Sequence, residues 1–120
     1  MPRLFLEHPD LFGRPGEVRW RQPTSAEEYI GLRAAELQHH LSLVVAGRVH
    51  ASGEPNGRLE ERSGLAAGRL SKLLRGHGQM TFRDVVALES ALGPVLAALD
   101  YQRVDIEDAV LRERFASEAM

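Results

Sequence analysis

Asn56 to Gln79, NGRLEERSGLAAGRLSKLLRGHGQ, reads as two short helices joined by a tight turn. Leu59 opens the first helix. Gly64 ends it, at a place where only a residue without Cβ accepts a left-handed backbone cheaply, and Leu65 returns to the core. A second helix is expected from about Ala66 to Arg75, with Leu70, Leu73 and Leu74 facing inward, and it stops at Gly76. Its other face carries Gly68, Arg69, Lys72 and Arg75, a cationic side turned to solvent or to a phosphate backbone.

On either side of this stretch the chain punctuates itself. Residues 1–23 hold four of the six prolines, and Pro9, Pro15 and Pro23 exclude a continuous helix. Leu4-Phe5-Leu6 and Glu17 to Arg21 read as brief extended pieces of an N-terminal arm, with Trp20 packing that arm onto the helices or onto a second subunit. Ser25 and Glu28 have the spacing of a capping box. The helix they start is expected to run to about His50, with Ile30, Ala34, Leu37, Leu41, Val44 or Val45, and Val49 on one stripe.

Residues 51–57 are loop by composition, and Asn56 is a candidate cap for the next helix. Thr81 and Asp84 again have the capping-box form. The helix that follows is expected to turn Phe82, Val85 or Val86, and Leu88 or Leu92 to the core. Gly93-Pro94 ends it and begins another short helix, so that Val95, Leu96 and Leu99 close the bundle. From Asp105 a last amphipathic helix is expected, with Ile106, Val110, Leu111 and Phe115 as its apolar strip, either covering the domain edge or pairing with a second copy.

These residues resemble the phage-repressor/Cro-like (XRE) helix-turn-helix proteins. The likeness rests on Leu59, Gly64-Leu65, Leu70-Ser71 with Leu73, Gly76, Thr81-Phe82 and the Leu88 to Leu92-Gly93 pattern, and covers about Arg58 to Leu99. Glu60 stands where the family usually has Ala, Ala67 where it often has Gln, and Leu74 where it often has Glu. The resemblance implies an all-α fold of five or six helices built around a helix-turn-helix. In that fold residues 1–23 form the extended arm, and residues 24–120 form the helix-turn-helix domain with its C-terminal amphipathic helix. It also implies a homodimer on an inverted repeat, with half-sites about 34 Å apart, and repression by occluding a promoter.

In such a protein the second helix enters the major groove with its N-terminal residues nearest the bases. The expected DNA-binding residues are Arg58, Ala66, Ala67, Gly68, Arg69, Lys72 and Arg75. Arg69 is the choice for a guanine edge, because a planar fork can meet two acceptors, and Ala66 or Ala67 for a thymine methyl. Lys72, Arg75 and Arg58 are expected on phosphates. Ser71 is expected to pack against the first helix.

Charge agrees with this division. The net charge is −2, yet between Asn56 and Gln79 Arg58, Arg62, Arg69, Lys72 and Arg75 outnumber Glu60 and Glu61, while acids dominate after Asp100. Screening over about 8 to 10 Å makes the local balance the one a ligand feels. Glu36, His39 and His40 share a helix flank, but no repeated ligand motif accompanies them, and they read as exposed or half-buried histidines rather than a metal site.

The chain has no cysteine and therefore neither disulfides nor thiolate chemistry, no apolar run near the ~20 residues of a membrane span, and no phosphate-cradling glycine loop. The expectation is a cytoplasmic, non-enzymatic DNA-binding regulator without a cofactor. Two other readings stand beside it: an antitoxin-like regulator that also holds a partner protein through its arm or C-terminal helix, and an adaptor without DNA affinity.

Overall fold

A computed structural model describes residues 1–105, and within them the chain is helical without a strand. Four α-helices follow one another: α1 (Ala26–Ser52), α2 (Asn56–Ser63), α3 (Arg69–Leu74) and α4 (Phe82–Leu92). Three 3-10 turns accompany them, at Pro2–Phe5, Pro9–Leu11 and Leu96–Ala98. The short helix expected after Pro94 is the last of these turns. The helix expected from Asp105 falls, beyond Asp105 itself, outside the described residues. No described helix is long and apolar enough to cross a membrane.

The ends of α1 follow its sequence signals. Ser25 Oγ accepts from the amide of Glu28 at 3.1 Å, while the Glu28 carboxylate reaches back to the amide and hydroxyl of Thr24 rather than to Ser25. Those Thr24 bonds hold the Glu28 carboxyl below its ordinary range. Gly53, with φ 69°, stops the helix two residues beyond the expected end.

Two cores flank α1. Leu41 and Val45 from its second half meet Leu59 of α2, Leu70 of α3, Val85 and Leu88 of α4, and Val95 and Leu99. Leu32 and Ala35 from its first half meet Leu6, Phe12 and Trp20. The expected single stripe therefore holds only from Leu37 onward. Ile30 is 54% exposed and Ala34 is also exposed, because the first half of α1 turns its Leu32 and Ala35 side to the N-terminal segment.

That segment is a wrapped layer more than an extended arm. Leu4 and Phe5 belong to a 3-10 turn instead of an extended piece, and Leu6 forms an isolated antiparallel bridge with Trp20. Phe5 lies so close to Gly31 that a Cβ there would stand 2.7 Å from its ring. The layer also reaches the far end of α3. The amide of Arg3 donates to Gly76 O at 3.2 Å, and a Cβ on Gly13 would lie 1.9 Å from Leu74 O.

The capping box of α4 forms in full. Thr81 Oγ accepts from the Asp84 amide, and Asp84 accepts from the Thr81 amide. This places Phe82 at the first helical position, where it points outward and is 82% exposed, against the expectation that it enters the core. Val85 and Leu88 supply the buried face.

Candidate nucleic-acid interface

The turn after α2 is built by Gly64. With φ 75° it lets the amide of Leu65 swing back to Glu60 O at 2.9 Å, satisfying a carbonyl that the helix end would otherwise orphan. Leu65 then packs against the core. The first helix starts at Asn56 itself, with Pro55 in the cap position and no side-chain cap, so Asn56 is not the cap.

The second helix is shorter than the expected span from Ala66 to Arg75. Gly68 takes φ 81° as its N-cap, which leaves Ala66 and Ala67 in the turn and begins α3 at Arg69. A glycine at a left-handed cap avoids the cost it would carry in a helix interior. At the other end Arg75 is the C-cap, Gly76 has φ 73°, and the amide of His77 donates to Lys72 O at 2.9 Å.

Three side chains anchor α3 from behind. Glu60, buried in α2, accepts from the amide of Leu70 at 2.8 Å and so serves as a cap for the next helix. Gln38 of α1 donates to Leu73 O at 3.0 Å and Gly78 O at 2.9 Å, and accepts from the amide of Met80 at 2.9 Å. Asp84 accepts from Arg69 Nε at 3.1 Å and from Nη2 at 2.8 Å. Burial pushes the Asp84 carboxyl up, but the Arg69 and Thr81 donors outweigh it and hold it below its usual range; the same bonds raise Arg69.

Arg69, expected at a base edge, thus has two of its donor nitrogens engaged by Asp84 and a side chain 35% exposed. Arg58, Ala66, Ala67, Gly68, Lys72 and Arg75 are all exposed. Ser71 is exposed as well and does not pack on the first helix, since Leu70 and Leu73 take the inner face of α3. Arg58 lies 4.0 Å from Glu54, whose other oxygen is held by Arg62 at 3.0 Å.

His39 and His40 of α1 are buried, not exposed or half-buried on a flank. His39 Nδ1 accepts from the amide of Gly13 at 2.9 Å, and its ring meets Phe12, Trp20 and His40 edge to face. Burial pushes His39 down to about 4, with the neighbouring His40 acting in the same direction. Glu36, His40 and Asp105 bring ligand-type atoms within 4.8 Å of one another. Protein donors already engage them. Glu36 is paired with Arg33 and accepts from the Asp105 amide, and the Asp105 carboxylate takes His40 Nε2 at 2.8 Å, Trp20 Nε1 at 3.3 Å and Arg103 Nε at 3.3 Å. The arrangement is a clasp that ties the segment after Leu99 to α1.

Capping-box spacing pointed to Asp84 but not to its second bond with Arg69, and no local signal marked Gln38 or the approach of Asp105. Comparison with protein-family models, with curated proteins and with solved structures gave no match.

Proposed function

We propose that α2 and α3 form a helix-turn-helix and that the protein is a sequence-specific regulator of transcription. It binds double-stranded DNA as a homodimer with α3 in the major groove. One observation carries this reading: α3 is held from behind by Glu60, Gln38 and Asp84, while Ser71 and Lys72 stand exposed on it, Arg75 at its C-cap, and Ala66 and Ala67 just before it. A rigid short helix with small residues at its entrance and cations along its outer side suits a groove about 12 Å wide. In this reading Lys72, Arg75 and Arg58 meet phosphates, Ser71 and the two alanines face base edges, and Arg69 fixes the angle of the helix while its Nη1, which no described residue engages, reaches a guanine.

The exposed pair Phe82 and Val86 favours, as a second reading, an antitoxin-like regulator that also holds a protein partner.

Duplexes selected from a random pool, then titrated with the full chain by fluorescence anisotropy at two salt concentrations, test the first reading. Lys72→Ala should weaken binding on every duplex and reduce the salt slope by about 1. No binding at low salt, or binding indifferent to both Lys72→Ala and Arg75→Ala, overturns it.

A further inference from the structure

We propose that the outer face of α4 is the contact between two copies of this chain, which meet antiparallel about a two-fold axis at Val86. The proposal rests on the homodimer of the function proposed above and assigns its face.

Phe82, Val86 and Ser90 follow one another at steps of four and stand on one side of α4. Phe82 is 82% exposed and Val86 64%, the two most exposed large apolar side chains among the described residues. The face is uneven. Phe82 stands as a knob at its N-terminal end, while towards its C-terminal end Ala87 and Ser90 border a hollow whose other wall is Ser63, Gly64 and Leu65 of the turn after α2. Small residues keep this hollow open, and a Cβ added at Gly64 would meet nothing within 4 Å.

In an antiparallel pair each residue lies opposite the one equally far beyond Val86 in the second copy. Phe82 then falls opposite Ser90 and enters the hollow beside it. Arg83 falls opposite Glu89. Arg83 is exposed and has no ion pair among the described residues. Glu89 holds the amides of Val95 and Leu96 with one oxygen, at 2.9 and 3.2 Å, which aims the carboxylate and leaves its second oxygen without a described partner. Knob matches hollow and cation matches anion within a single face, and the two-fold repeats both matches, as a self-complementary contact requires. The symmetric spacing of Arg83 and Glu89 about Val86 favours a copy over an unlike protein, which would need only an apolar patch. Of the residues assigned to DNA, Ala66 and Arg69 border the hollow, and Arg58, Lys72 and Arg75 do not. Two short helix faces make a small contact, of the weak class.

The test uses the full chain without DNA, by sedimentation velocity from about 1 to 500 µM. A dimer that grows with concentration is expected. Phe82→Ser should weaken it at least about tenfold and Arg83→Glu at least about threefold, both with unchanged helical signal, since both positions are exposed. The chain has no cysteine, so single-cysteine variants report the register. Val86→Cys, on the axis, should form a disulfide-linked dimer under mild oxidation at least about tenfold faster than Ser90→Cys, whose two copies would lie about 12 Å apart along the helices. A dimer indifferent to both Phe82→Ser and Arg83→Glu, or equal cross-linking of the two cysteine variants, overturns the α4 face while leaving a homodimer. A chain monomeric throughout overturns the proposal and gives Phe82 and Val86 to an unlike partner. With no DNA present, none of these outcomes depends on whether the chain binds a duplex.

Discussion

Arg69 and Asp84, 15 residues apart, meet through two bonds of 3.1 and 2.8 Å, and the same carboxylate completes the cap of α4 through Thr81. One side chain therefore sets the position of α3 against α4. Asp84→Ala should lower stability by about 1 to 2 kcal/mol, most of it the lost cap. Arg69→Ala should cost less, because the guanidinium is partly in water. Urea unfolding of both single variants and the double variant would measure the coupling, expected to be about 0.5 kcal/mol or more; strict additivity would show that the pair does not hold the helices together.

Glu60 ends in the buried amide of Leu70 at 2.8 Å. Glu60→Ala should leave that amide unsatisfied and lower stability by about 1 to 2 kcal/mol. Glu60→Gln, which keeps an acceptor, should recover part of it. Equal unfolding midpoints for the alanine variant and the parent chain would remove the capping role.

Gly13 and Gly57 offer opposite outcomes for one substitution. A Cβ on Gly13, where φ is 73°, would sit 1.9 Å from Leu74 O, whereas at Gly57 it meets nothing within 4 Å. Gly13→Ala should destabilise the fold by at least about 2 kcal/mol. Gly57→Ala should stabilise it by up to about 1 kcal/mol through α2. Thermal melts of the two variants should move in opposite directions.

His39, pushed down to about 4 by burial, makes stability fall on acidification. Its unfolded value near 6.5 lies above the folded one, so between about 6.5 and about 4 the unfolded chain takes up the proton and the folded chain does not. The stabilisation is complete above that window and is lost as pH falls through it, by up to about 2 kcal/mol at pH 5. His39→Gln, which keeps an acceptor for the Gly13 amide, should flatten the change. Urea midpoints at pH 7 and pH 5 check this, and equal midpoints for the parent chain would contradict it.

What could be read from the amino acids alone was what neighbours in sequence decide. Gly64 and Gly76 end helices because a left-handed residue is needed there, and Ser25 and Thr81 cap because the amides they satisfy lie three residues on. Gly68 was harder to place. The apolar spacing around it runs on as if it were interior, and its role as a cap moves Ala66 and Ala67 from helix into turn. The burial of α1 could not be read as one stripe, since its two halves serve different cores. His40 and Asp105 lie 65 residues apart, and only the closed fold makes them neighbours.

The seat of the N-terminal layer has a consequence for the order in which the molecule assembles. The N-terminal layer sits mainly on α1, but Arg3 and Gly13 also rest on Gly76 and Leu74, so its seat is not complete until the chain has grown past α3. A nascent chain halted before Gly76 would hold Leu6 and Trp20 against α1 yet leave Phe12 without the backbone that completes its shelter.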